Sequence, residues 1–180
     1  HRGQDGGGIA TSDGEQLYKH KQQGLLHQIF NAKTLDSLSG HIGIGHTRYA
    51  TMGTQASCQL QPFFDETKTF ATAHNGNIVN YHELASQIRE NDPDALQSGC
   101  DSELFVYLLQ QELKSKPQIT IDDFLAALKV IRKTVVGSYA VVGMIPELGL
   151  FAFRSHMGIR PLVMGLRHDT DKPTAYARSE

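Results

Sequence analysis

The chain has 180 residues, 39% of them hydrophobic and 20% charged, with 17 glycines, 6 prolines and a formal net charge of −2. That is the composition of an ordinary globular domain with its own core, and lysines and arginines scattered singly leave no basic face for a phosphate backbone, so nucleic acid is not an expected partner. No apolar run reaches the roughly 18 residues that a bilayer-crossing helix needs, the first residues lack the shape of a secretion signal, and two cysteines are too few for a disulfide scaffold; a cytoplasmic protein without a membrane partner is expected.

In chain order, Ile9 to Thr11 and Gln16 to Lys19 flank Ser12-Asp13-Gly14, which is hairpin chemistry. Leu25, Leu26, Ile29, Phe30, Leu35 and Leu38 fall near helical spacing, and Gly40 follows as a stop. Residues 41–51 read as a strand, as do Leu60 to Phe64 and Thr69 to His74, with Asp65-Glu66-Thr67-Lys68 as the turn between the last two. Asn80 with Glu83 resembles a capping arrangement that opens a helix. Two more helices follow, with apolar stripes at Leu104, Phe105, Leu108, Leu109 and Leu113, and at Phe124, Leu125, Leu128 and Ile131. After Gly137, four short apolar runs separated by turn residues close the chain as strands. Strands, then helices, then strands predict a single α+β domain of stacked sheets with helices outside.

Neither G-x-G-x-x-G nor G-x-x-x-x-G-K-[ST] occurs, so Gly6-Gly7-Gly8 is not a nucleotide loop. The nine histidines contain no helical ligand pair, and His41 and His46 point to opposite faces of a strand, so no metal site is expected. Three features can carry chemistry. The period of two puts Ile42, Ile44, His46 and Arg48 on one face; the Arg48 guanidinium either reaches water at the strand end or grips a carboxylate bidentately. Asn75-Gly76 is either a plain turn or a pair of donors, side-chain amide and backbone N–H, able to hold an oxyanion. Asp101 is either a helix N-cap or a partner for a ligand ammonium. Together they would suit an amino acid with a side-chain amide, but the set contains no nucleophile.

The segments HRGQDGGGIAT, GIGHTRYATMG, QPF, AHNGNIVNY and DSE, in this order, resemble the glutaminase domain of amidophosphoribosyltransferases, a class II glutamine amidotransferase of the N-terminal-nucleophile hydrolase type. The resemblance covers residues 1–180 and implies a four-layer αββα sandwich of mostly antiparallel sheets that lacks its first strand and helix here. It implies release of ammonia from glutamine for transfer to phosphoribosyl pyrophosphate in the first step of purine synthesis. By the same resemblance, Asn75 and Gly76 form the oxyanion hole, Arg48 with nearby Thr51 takes the glutamine α-carboxylate, Asp101 takes its α-amino group, and Arg2 and Gly3 lie beside the nucleophile. No cofactor is implied for this domain; magnesium belongs to an adjoining phosphoribosyltransferase domain, and the full protein is expected to be a homo-oligomer. Glucosamine-phosphate synthase and asparagine synthetase share the general plan and are the alternatives, together with a glutamine-binding module that does not catalyse.

The departures are specific. The family's catalytic cysteine precedes the His-Arg-Gly-Gln-Asp motif at which this sequence starts, and neither Cys58 nor Cys100 lies in its place, so the 180 residues alone are expected to be inactive. Ser155 and His156 stand where the family has Asp and Pro before Gly-Ile-Arg-Pro-Leu, and Arg178 replaces an alanine, which predicts a loosened corner.

Overall fold

Asp13 makes the first hairpin. Its Oδ1 accepts from the N–H groups of Glu15 and Gln16 at 3.0 and 2.8 Å, and its Oδ2 accepts from the Tyr18 hydroxyl at 2.8 Å. This folds β1 (Gly6–Ser12) against β2 (Leu17–Gln23), and β3 (Ile42–Arg48) pairs with the other edge of β1 to give an antiparallel sheet in the order β2-β1-β3. A computed structural model describes residues 5–48, 60–65, 67, 69–168 and 173–179.

The helical pattern of residues 25–38 divides into α1 (Leu26–Ile29) and α2 (Ala32–Asp36). Asn31 divides it: its side chain accepts from Thr34 N–H while the Thr34 hydroxyl accepts from Asn31 N–H, so a new helix starts one turn after the first. The Gly6-Gly7-Gly8 run is a packing solution. A Cβ on Gly7 would sit 2.4 Å from Leu26 Cδ2 of α1, and one on Gly8 would sit 2.1 Å from the Gln61 carbonyl on the opposite face. Only glycine lets β1 pass between those neighbours.

A second antiparallel sheet runs β4-β5-β6-β7, formed by β4 (Phe63–Phe64), β5 (Ala71–Ile78), β6 (Gly137–Ile145) and β7 (Gly149–Arg154). The turn before β5 is held by Asp65, whose Oδ1 accepts from Phe70 N–H and Oδ2 from the Thr69 hydroxyl, both at 2.8 Å. Against the turn reading of Asn75-Gly76, both residues lie inside β5, paired with Ala140 and Tyr139. The strand continues because β6 supplies a partner along its whole length, which no local signal discloses.

The helices α3 (Tyr81–Asn91), α4 (Asp101–Leu113) and α5 (Ile121–Thr134) cover one face of this second sheet. Their stripes interleave with Ile78, Tyr139, Val141 and Ile145 in the main core, where Leu104, Phe105 and Leu109 are fully buried. Each such side chain contributes roughly 1.5–3 kcal/mol. The other face meets the first sheet through Ala10, Ile44, Ala71 and Met144. With α1 on the outer face of the first sheet, the layers run helix, sheet, sheet, helix: an α+β, αββα sandwich. The hairpin β8 (Leu162–His168) and β9 (Pro173–Ser179) lies beside β6 and β7 and completes the four closing strands.

Asn80 occupies the N-cap of α3 without a capping hydrogen bond. Its side chain donates to Thr134 O and accepts from Val136 N–H, each at 2.9 Å, and so ties α3 to the junction between α5 and β6. The capping arrangement read at Asn80 is thereby corrected; a capping box does open α5, from Thr120 and Asp123. Among the described residues no helix is long and apolar enough to cross a membrane.

Candidate active site

The inner face of β3 carries Ile42, Ile44, His46 and Arg48, as the alternation requires, across from Ser12, Ala10, Gly8 and Gly6 of β1. The two glycines let Leu60 and the Gln61 carbonyl pack close over β1 beside the two large polar side chains. Arg48 is 8% exposed, so it does not simply reach water at a strand end.

Facing β3 from the second sheet, Asn75 Oδ1 lies 3.2 Å from His46 Nε2. An amide oxygen only accepts, so the His46 proton sits on Nε2 and donates to it. Burial is the main reason the His46 pKa falls from 6.5 to about 4; the Asn75 bond opposes the shift, and the His74 and Arg48 charges add to it. The ring is neutral at pH 7 and holds Asn75 with its amide NH2 turned away.

Gly76 follows with φ +150°, and a Cβ there would lie 2.2 Å from Ser138 O and 2.7 Å from Tyr139 Cα. Tyr139, its partner on β6, gives its carbonyl to Ser155 N–H at 2.9 Å, toward β7. In an antiparallel ladder the N–H and C=O of one residue point the same way, so Gly76 turns its N–H to the opposite side of β5. On that side β4 ends at Phe63, opposite Thr72, and the Gln61 side chain continues the ladder at His74, accepting from its N–H at 2.6 Å and donating to its carbonyl at 3.0 Å. Gly76 is the next position along on that side of β5.

His74 and Asp101 bring in α4. The His74 Nε2 to Asp101 Oδ2 distance is 3.7 Å, and His74 Nδ1 is 2.7 Å from Ser102 Oγ. Burial lowers the His74 pKa, against the pull of Asp101. Asp101 is the first residue of α4 rather than its cap; Cys100 is the cap, without a side-chain capping bond. The Asp101 carboxylate sits at the positive end of the helix with 26% of the side chain exposed, open to a ligand cation. Burial raises the Cys100 pKa, so this thiol stays protonated and does not supply a nucleophile.

The sequence-predicted residues thus divide. Arg48 shares the inner face of β3 with His46, which meets Asn75 beside Gly76, and Asp101 approaches β5 through His74. Arg2, Gly3, Thr51 and Cys58 lie outside the described residues. Neither His46 nor His74 carries a site signal of its own in the sequence; the period of two along β5 gives only the face of His74, opposite that of Asn75. Ser155 is buried and bound to Tyr139 by its backbone, while His156 and Arg178 are exposed.

Residues 46–177 match the family model of the glutamine amidotransferase domain. The amidophosphoribosyltransferase of Pseudomonas aeruginosa is 40% identical over 171 residues, 93% of this chain and 34% of the relative. Among solved structures, an allosteric regulatory enzyme of purine biosynthesis superposes with a TM-score of 0.78 at 34% identity, over 99% of this chain and 36% of that one. The glutamine phosphoribosylpyrophosphate amidotransferase of B. subtilis, complexed with ADP and GMP, gives a TM-score of 0.73 at 33% identity, over 98% and 36%. The chain therefore spans about a third of the length of these relatives. On its fold, its inward-facing strand residues and this match, the chain belongs to the glutamine amidotransferase domain family.

Proposed function

We propose that this chain is the glutaminase domain of an amidophosphoribosyltransferase, releasing ammonia from glutamine for transfer to phosphoribosyl pyrophosphate on an adjoining phosphoribosyltransferase domain. Arg48, with Thr51, takes the α-carboxylate of glutamine and Asp101 takes its α-ammonium, leaving the side-chain carbonyl between Asn75 and Gly76. A cysteine thiolate ahead of His1, flanked by Arg2 and Gly3, attacks the carbonyl carbon. The carbonyl electron pair moves onto oxygen, where the Asn75 amide and the Gly76 N–H stabilise it. The C–N bond breaks, nitrogen takes the proton that the thiol gave up and leaves as ammonia, and water cleaves the thioester to restore the thiol and release glutamate. The domain itself needs no metal for these steps; magnesium has its place with the phosphoribosyl substrate.

The observation that carries this reading is the His46 bond to Asn75 Oδ1. It sets the donor end of the amide beside a glycine whose N–H points to the side of β5 away from β6. Asn75→Ala in the full-length protein tests it: glutaminase kcat is expected to fall about 100- to 1,000-fold with KM little changed. Arg48→Ala is expected to raise KM for glutamine instead. Unchanged kcat in the first variant, or unchanged affinity in the second, overturns the assigned role. Prepared as a 180-residue polypeptide, the chain is expected to bind glutamine without turnover, and activity in that form overturns the placement of the nucleophile ahead of His1.

A further inference from the structure

Asn75 presents the same outline whichever way its amide faces, since exchanging Oδ1 and Nδ2 hardly changes the shape. The chemistry proposed above tolerates one orientation only: NH2 toward the developing oxyanion. With Oδ1 there instead, two negative oxygens would meet. Packing cannot make that choice, because both orientations fill the same volume, so it falls to a hydrogen-bonding partner.

We propose that His46 is the positioning residue that makes this choice, its Nε2–H holding Asn75 Oδ1 so that the amide donor faces the substrate. The inference rests on the oxyanion role of Asn75. The 3.2 Å contact is the first support. The second is that His46 Nδ1 is buried with no hydrogen-bond partner among the described residues. A proton on Nδ1 would be a buried donor without an acceptor, whereas a proton on Nε2 has one, so the environment selects the tautomer that orients Asn75. The third is the position of the ring: on β3 across from Gly8, on the face of the first sheet that meets β5. Burial also keeps the ring neutral well below pH 7, so the tautomer persists across the physiological range. Arg48 stands two residues along the same face of β3, so the strand that is proposed to hold the substrate carboxylate also sets the amide.

The test uses the full-length protein and glutamine hydrolysis. His46→Phe keeps the ring and removes the donor; kcat is expected to fall about 10- to 100-fold with KM within about two-fold of wild type. His46→Gln, whose Nε2 reaches to the position of the imidazole Nε2, is expected to recover most of that loss, which a purely structural role would not predict. In an Asn75→Ala background, His46→Phe is expected to cost less than about three-fold more, because the group it orients is gone. Wild-type kcat in His46→Phe, an equal loss in His46→Gln, or full additivity with Asn75→Ala overturns the proposal. If Asn75→Ala itself retains kcat, the oxyanion reading fails; if only Asn75→Ala loses it, the reading stands and the role of His46 falls. Nitrogen NMR of the wild-type imidazole provides a readout independent of variant folding: a proton on Nε2 is expected, and one on Nδ1 overturns the proposal.

Discussion

His74 Nε2 stands 3.7 Å from Asp101 Oδ2, which joins the middle of β5 to the first residue of α4. The distance is too long for a hydrogen bond, so the contact acts through charge and dipole. Three residues at the start of α4 hold the ring from the helix side: besides Asp101, Ser102 Oγ lies 2.7 Å from Nδ1 and the Phe105 ring 5.3 Å away between centroids. Asp101 in turn sits beside a ring that cannot move without disturbing the main core.

His74→Ala is therefore expected to act in two ways. Loss of a buried ring and of the Ser102 partner should cost about 2–4 kcal/mol of stability, read from the urea midpoint. Release of Asp101 should raise KM for glutamine several-fold in the full-length protein, with a smaller effect on kcat. A KM equal to wild type in folded protein would separate Asp101 from His74.

Acid should weaken this domain through its buried imidazoles. The pKa of His46 falls from 6.5 to about 4, and that of His74 moves the same way, both mainly by burial. A histidine with a depressed folded pKa binds fewer protons folded than unfolded between the two values, so stability falls as pH drops from about 6.5 toward 4 and is unaffected above pH 7. The His46 share is at most on the order of 3 kcal/mol. Thermal midpoints measured from pH 4 to 8 check this, and the slope should be shallower in His46→Phe.

Gly76→Ala should be severe where another glycine is tolerant. At φ +150° a Cβ meets the Ser138 carbonyl at 2.2 Å, so the β5–β6 ladder must shift at the proposed oxyanion position; about 3 kcal/mol or more is expected. Gly45→Ala on the outer face of β3 is the control, since its nearest neighbour would be Gly8 O at 3.6 Å, and a change within about 0.5 kcal/mol is expected. Equal melting temperatures for the two variants would contradict the local geometry of β5.

Ser155→Ala should cost nothing. The Ser155 Oγ is buried with no hydrogen-bond partner among the described residues, and the bond to Tyr139 O comes from the backbone. Removing a buried, unsatisfied hydroxyl is expected to leave stability unchanged or to raise it by up to about 1 kcal/mol, read from the chemical denaturation midpoint.

Much of the architecture was legible because it is local. The alternation along 42–48 put His46 and Arg48 on one face with Ile44; apolar stripes announced α4 and α5; Asp13 announced its turn. Asn31 was legible as a residue type but not as a break, since the capping box it forms with Thr34 competes with a helical pattern that continues on either side. Motif order also carries the resemblance to the family.

The sequence by itself determined which residue types face together along each strand and helix, because side-chain periodicity depends only on backbone geometry within a few residues. Only the tertiary structure decided that Asn75-Gly76 is strand rather than turn, that Asn80 clamps two elements rather than capping one, and that Gly7 and Gly8 thread between α1 and Gln61. It also decided that His46 meets Asn75 across 29 residues of chain. Each of these depends on a partner brought close by the stacking of two sheets, and the energy of such a contact is set by the neighbour rather than by the residues that flank it in the chain.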